Sequence, residues 1–299
     1  MSKINLRQSD EWFEYLKSLN WRYVKTSSGV KIAYFKSLFG VVIKIQRPIL
    51  IDKANLDEIL NFALKNKAII VKIEPSIGQD EDILLEAGFK VSKHPLSPPS
   101  TMFIDLTKSE EDLWKNVSRS GKYGVKRAHR EGSRVGYFKN PKKQQLKDFF
   151  KLAKATGKRG KFYVQPFKEL LTKAKIFKDD CYIISVFDNE GNLQGGKFFL
   201  GIGDTINFTM GGTTTLGRKG KGGYELMWKS ILYLKKEGYR ELDLEGVDDD
   251  RFPTFTRSWG GFSHFKEKFG GEVLRFPPPY VNVLSKTLRF CSRFIEPPF

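Results

Sequence analysis

The chain is expected to fold as layered α/β. Helical and strand signals alternate along its 299 residues, and turn residues separate the periodic segments. A hydrophobic content of 40%, with 25 Phe, 11 Tyr and 5 Trp, supplies ample core material and excludes a disordered chain. Two domains fit this length better than one.

Ser9–Leu19 reads as a helix, with Ser9 or Asp10 as its cap and Trp12, Phe13, Leu16 and Leu19 on one face. Val30–Phe35 and Phe39–Ile45 read as strands, joined by a short connection ending in Gly40. Leu56–Lys65 then reads as a helix and Ala68–Ile73 as a strand, and Asp80–Ala87 as a helix stopped at Gly88. The strand Met102–Leu106 leads into a helix start at Ser109 and Asp112, close to a capping box. Around Gly121 the cations Arg119, Lys122, Lys126 and Arg130 recur three and four residues apart, which puts them on one stripe of a helix.

In the second half, Lys143–Thr156 and Gln165–Ala174 read as helices. Cys181–Asp188, Gly195–Gly201 and Thr205–Met210 read as strands, the first two joined by the turn residues Asn189–Asn192. Gly223–Glu237 is an amphipathic helix ending at Gly238, and Glu241–Leu244 is the next strand. This half loosely echoes the first, so a duplicated α/β unit is expected.

The formal net charge of +18 favours polyanionic partners: nucleic acid, an anionic membrane surface or phosphorylated small molecules. Cys181 and Cys291 give neither a disulfide framework nor zinc spacing, and His94, His129 and His264 are scattered. No metal site is expected. No window approaches the ~20 apolar residues of a membrane span, so a cytoplasmic protein is expected. The basic, aromatic tail Thr287–Phe299 suits contact with an anionic leaflet or packing as a helix.

Three segments could carry chemistry. In Phe265-Lys266-Glu267-Lys268-Phe269-Gly270-Gly271, a lysine between aromatics could stabilise a developing oxyanion in a partly dry pocket. The plain alternative is a surface strand with its lysines in water. In Thr156–Tyr163, Arg159 with Tyr163 four residues on suits a diphosphate and a sugar or base, or else Arg159 complements a helix dipole. The loop Gly217–Gly223 before a helix could cradle an anion or serve as a flexible connector. It resembles the pyrophosphate loop of acyl-CoA-dependent N-acetyltransferases, with Gly217 at a position where they carry Arg or Gln. Among carboxylates, Asp105, Asp243 and Glu245 could sit at strand ends, while Asp248–Asp250 reads as a solvated loop.

Several segments, taken in order, resemble the Fem-type (FemABX) peptidyltransferases. They are Trp21 to Lys25, Gln46-Arg47-Pro48, Ile73-Glu74-Pro75, Ala87-Gly88-Phe89, Ser100 to Leu106, Lys122 to Ala128, Leu242 to Gly246 and the Phe265–Gly270 block. Gln-Arg stands where the family has Arg/Lys-Gly before Pro48. The resemblance implies two N-acetyltransferase-like (GNAT-like) domains in tandem with a cleft between them and no coiled-coil arm. The expected division is 1–142 and 143–277, with 278–299 returning to the first domain.

The resemblance also implies an activity: transfer of an amino acid from aminoacyl-tRNA to the stem peptide of a peptidoglycan precursor, UDP-MurNAc-peptide or lipid II. Lys25 and Arg159 would hold the diphosphate and Tyr163 would lie beside that substrate. Phe265 and Lys266 would sit at the reaction centre, with Asp105 as the protein's candidate base. Phe208 stands near where the family has a Tyr and lacks its hydroxyl. Arg119, Lys122, Lys126 and Arg130 would meet the tRNA acceptor arm. No cofactor is implied, and peripheral contact with the inner membrane face is compatible with the charge. The rivals are an acyl-CoA-dependent N-acyltransferase using Gly217–Gly223 and a non-catalytic binder of RNA or anionic lipid.

Overall fold

The computed structural model describes residues 5–285. Helix α1 (Asp10–Ser18) starts where the Ser9 side chain accepts the Trp12 N–H, with Asp10 and Glu11 in the first turn. The antiparallel strands β1 (Arg22–Lys25), β2 (Lys31–Ser37) and β3 (Gly40–Gln46) follow. Helix α2 (Lys53–Lys65) then crosses over to β4 (Ala68–Glu74), which pairs parallel with β3. After α3 (Asp82–Glu86) and the short β5 (Lys90–Val91) come β6 (Ser100–Asp105), α4 (Glu110–Asn116), α5 (Arg119–Arg130) and β7 (Arg134–Lys139).

Helices α6 (Lys143–Gly160) and α7 (Phe167–Phe177) precede the antiparallel run β8 (Cys181–Phe187), β9 (Leu193–Ile202) and β10 (Thr205–Thr213). Helices α8 (Thr215–Lys219) and α9 (Gly222–Lys236) cross over to β11 (Glu241–Gly246), parallel to β10. The described chain ends with α10 (Pro253–Thr256), α11 (Gly260–Glu267), β12 (Glu272–Arg275) and β13 (Tyr280–Val283).

These elements form two compact units. The first comprises 5–100, 249–257 and 275–285. Its sheet runs β1-β2-β3-β4-β13-β5 around a core that includes Ile32, Ile43, Ile45, Leu56, Ile59 and Ile73. The second comprises 101–248 and 258–274, with the sheet β12-β6-β11-β10-β9-β8-β7. Ile184, Phe199, Ile206, Leu226, Ile231 and Leu242 lie in its core. The second unit repeats the first unit's order of antiparallel strands, crossover helix and parallel strand, which is the duplicated α/β pattern.

The division falls at 100/101, not near 142 as expected. The reason is pairing: β6 bonds to β11, and α5 packs on α9. Gly124 permits that second contact, and Gly121 lets the start of α5 approach the end of α11. A Cβ on Gly124 would stand 2.6 Å from the Tyr224 ring, and one on Gly121 would stand 2.9 Å from the Lys268 carbonyl. The basic helix therefore lies flat on its neighbour with its cations outward.

Other expectations need correction. Lys266 lies on helix α11, whereas the plain alternative placed it on a surface strand. Asp249, expected in a solvated loop, is buried at 1% exposure, pairs with Arg251 at 2.7 Å and accepts from Ser100 Oγ at 2.5 Å. Cys181 is buried; Cys291 and the tail 287–299 lie outside the described residues.

Candidate active site

The strongest constellation lies in the second unit, at the end of β11. The ladder between β11 and β6 slips between Asp243 and Gly246, and Glu245 adopts a left-handed φ of 57°. That conformation is costly for a non-glycine residue, on the order of 1–3 kcal/mol. Asp243 holds it in place. Its buried carboxylate accepts the Glu245 N–H at 2.6 Å and the Thr101 hydroxyl. The bulge aims two carbonyls at Lys266, whose ammonium donates to Gly246 O at 2.6 Å and reaches Glu245 O at 3.4 Å. An ammonium has three donors, so one is left for a substrate oxygen.

Lys266 is only 5% exposed, and its Nζ lies 4.8 Å from the Phe262 ring centroid. The Phe208 ring is shared with a second buried lysine, Lys197 on β9, which also lies 5.2 Å from the Phe265 centroid. Burial, and then the neighbouring Lys266 charge, push Lys197 down to about 7. Burial pushes Lys266 down to about 8, against the opposing pull of Glu245 and Asp243. Near neutral pH the arrangement thus holds two lysines on one aromatic ring, of which Lys197 is the one that loses its proton first.

Phe265 adds to the aromatic surroundings of the two lysines, packing edge-on against Tyr224 at 5.1 Å and Phe269 at 5.3 Å. Lys197 escaped the sequence reading. The available signal was a lone lysine inside the run Gly195-Gly196-Lys197-Phe198-Phe199, where strand alternation puts it on the same face as buried Phe199.

Arg159, at the end of α6, donates to the Thr213 carbonyl at 2.7 Å. In the β9–β10 register Lys197 faces Gly211, two residues from Thr213, or about 7 Å along the strand. Arg159 is therefore tied to the same strand end as the lysine pair. Tyr163, four residues on, is 78% exposed. Asp105 does not join this group. It pairs with Glu241 while Thr101 pairs with Gly246, so it sits four residues, about 13 Å, along β6 from the bulge. Its carboxylate instead accepts from the Thr107 hydroxyl and N–H, which lower its pKa.

On α5, Arg119, Lys126 and Arg130 are exposed, whereas Lys122 is half-buried and donates to the Lys115 carbonyl at 3.1 Å. Exposed Tyr123 shares a shallow hollow with Ser118, Arg119 and Ser120. The Gly217–Gly223 segment is partly helical, and a Cβ on Gly217 would lie 2.3 Å from the Gln194 carbonyl. That glycine serves close packing against β9.

In the first unit, Lys25 closes β1 and meets Asp10 at 3.4 Å; Asp10 also pairs with Lys31 at 2.8 Å. Arg47 has a left-handed φ of 48°, which is why the family resemblance has Gly at this turn. Its guanidinium donates to the carbonyls of Pro75 and Pro98, at 2.8 Å each. Among the described residues, no cluster of His, Cys, Asp and Glu could hold a metal ion.

A model of the FemAB family matches residues 87–185, which include β6 and the basic helix and end within β8. A lipid II:glycine glycyltransferase of Staphylococcus haemolyticus (strain JCSC1435) is 30% identical over 127 residues. That match covers 37% of this chain and 30% of the relative, so it spans less than a third of that protein's length. Over these segments the chain is similar to the Fem-type family. In fold, the chain resembles the crystal structure of FemX, with a TM-score of 0.80 and 18% identity over 99% of this chain and 96% of that one. A tandem GNAT protein from the clavulanic acid biosynthesis pathway has a TM-score of 0.54 and 10% identity, covering 84% of this chain and 78% of its own. The fold is a tandem of GNAT-like units.

Proposed function

We infer that the protein is an aminoacyltransferase that moves an amino acid from aminoacyl-tRNA to the stem peptide of a peptidoglycan precursor. The observation that carries this reading is the buried Lys266, held on two carbonyls beside the second lysine, Lys197, in a chain similar to the Fem-type family. In acyl transfer, the precursor amine attacks the ester carbonyl carbon and negative charge develops on its oxygen. Lys266 donates a hydrogen bond to that oxygen. Lys197, as the neutral amine, accepts the proton released by the attacking nitrogen. When the carbon–oxygen bond to the ribose breaks, that proton goes to the departing ribose oxygen. The products are an amide and free tRNA.

Arg159 and Tyr163 take the diphosphate and adjoining parts of the precursor, and Arg119, Lys122, Lys126 and Arg130 take the acceptor arm of the tRNA. The relative's name, a lipid II:glycine glycyltransferase, supports glycine with a lipid-linked acceptor as the first pair to try. Among the described residues no helix is long and apolar enough to cross a membrane, so a lipid-linked acceptor calls for peripheral contact with the inner leaflet.

The test is to incubate the purified protein with radiolabelled aminoacyl-tRNAs and either UDP-MurNAc-pentapeptide or lipid II, and to follow label into the peptide. Transfer that Lys266→Met abolishes supports the reading. If neither acceptor is labelled while acetyl-CoA drives amine acylation, the reading fails in favour of CoA-dependent chemistry.

A further inference from the structure

The tip of the β2–β3 hairpin is chemically out of place. Two-residue hairpin turns favour Asn, Asp and Gly because those residues tolerate the backbone and the water. Here the turn between β2 and β3 carries Leu38, 100% exposed, and Phe39, 86% exposed. The backbone is nevertheless well fixed. The Ser37 hydroxyl donates to the Gly40 carbonyl at 2.7 Å and accepts the Phe39 N–H at 3.2 Å. Gly40 adopts a φ of 136°, which other residues rarely reach. Two large apolar side chains are thus displayed on a stiff loop.

The surroundings extend the same character. Where a Cβ on Gly40 would lie, Ile69 Cγ2 is 2.4 Å and the Lys67 carbonyl 3.4 Å away, so the α2–β4 turn sits beside the tip. That turn adds Leu64, 67% exposed, and the exposed Lys65 and Lys67. Lys36 on β2 is exposed as well, and Phe35 packs against Trp21 at 5.8 Å one row behind. Neither 35–41 nor 61–69 contains an aspartate or glutamate. Apolar points ringed by lysines, with no acid among them, match the acyl boundary and the phosphates of an anionic bilayer.

We propose that the Leu38–Phe39 hairpin tip inserts into the headgroup boundary of an anionic membrane, with Lys36, Lys65 and Lys67 on lipid phosphates. Contact through one small wedge is reversible. The inference stands apart from the transfer reaction, because binding is read without turnover.

The experiment is flotation of the full chain with vesicles of phosphatidylglycerol and phosphatidylcholine, against vesicles of phosphatidylcholine alone. The wild type should float with the anionic vesicles only, and added salt should weaken that binding. The double variant Leu38→Ser/Phe39→Ser should lose at least about tenfold in partitioning, since both side chains leave the apolar layer. Its Tm and its transfer to a water-soluble acceptor should match the wild type. Equal flotation of the double variant overturns the proposal, as does equal binding to phosphatidylcholine alone. A dimer in solution that the double variant dissolves would assign the tip to a second copy of the chain and also overturn it.

Discussion

Lys197 and Lys266 present their ammonium groups to one ring, that of Phe208, at 4.2 and 5.7 Å from its centroid. Two positive charges in so dry a place disfavour each other, and the solution is to leave one group neutral. With Lys197 at about 7 and Lys266 at about 8, the productive form is neutral Lys197 beside charged Lys266. Transfer should therefore rise with pH through about 7, as Lys197 loses its proton, and fall above about 8, as Lys266 loses its own. Initial rates of transfer from pH 5.5 to 9.5 check this. Lys197→Met should erase the acid limb, and Lys266→Met should lower the rate by about 100-fold or more. An acid limb that persists in Lys197→Met would remove Lys197 from proton transfer.

The same lysine should cost stability. Between about 7 and the ordinary lysine value of 10.5, the unfolded chain binds a proton at Lys197 and the folded chain does not. Stability then rises with pH through that window. Lys197→Met should stabilise the protein by about 1–4 kcal/mol at pH 7 and flatten the rise. Urea unfolding at pH 6, 7.5 and 9 measures both effects, and a destabilised variant would contradict the charge argument.

Glu74 presents the opposite sign. It is 1% exposed and accepts the Ser97 N–H at 2.9 Å and the Gln46 amide at 3.1 Å. Burial alone would raise its pKa, but the Arg47 charge and the donors from Ser97 and Leu96 outweigh it, and the net shift is downward. Its contribution is present above the ordinary value of 4.5 and is lost as pH falls below it toward the lowered one. Glu74→Gln should cost about 3 kcal/mol at pH 7, because Arg47 is left buried without its countercharge. The variant should also lose the wild type's steep acid sensitivity below pH 4.5, as followed by circular dichroism.

At Arg47 the backbone and the side chain make separable contributions. Arg47→Ala removes the bonds to Pro75 and Pro98 and keeps an unfavourable φ of 48°; Arg47→Gly removes the same bonds and relieves the backbone. The glycine variant should be the more stable of the two by about 1 kcal/mol in urea unfolding. Equal stabilities would show that the turn rearranges.

The main elements were legible because each carried a local signal. Ser9 capped its helix, Gly88 closed another, and the Asn189–Asn192 turn joined its two strands. Strand β1 was missed because its two exposed cations, Arg22 and Lys25, blur the alternation of a four-residue edge. The site was harder to read, since its geometry depends on distant pairings. Lys266 was visible through its aromatic neighbours, yet its helix was not, and its partners are the carbonyls of a β-bulge 20 residues upstream. Asp105 and Thr101 share a strand, and only the register with β11 reveals which of the two reaches the bulge. Lys197 shows the same limit, because a lysine in an apolar run reads as exposed until both faces of its sheet are covered.

The cations of α5 give the last prediction. Arg119, Lys126 and Arg130 point away from α9 because Gly121 and Gly124 take the inner face of the helix. Lys122 differs, for its ammonium is tethered to the Lys115 carbonyl and lies 5.9 Å from the Trp114 ring centroid. If the stripe meets phosphates, each exposed cation releases counterions when tRNA binds, and affinity falls with salt accordingly. Replacing Arg119, Lys126 and Arg130 together with Glu should lower the slope of log K against log salt by about 2–3, since each phosphate contact accounts for about 0.7–0.9. Lys122→Gln should change the slope by about half as much as any one of the three, because its ammonium is already engaged. Filter binding of tRNA at 50 to 300 mM salt separates these outcomes, and an unchanged slope in the triple variant would move the tRNA surface off α5.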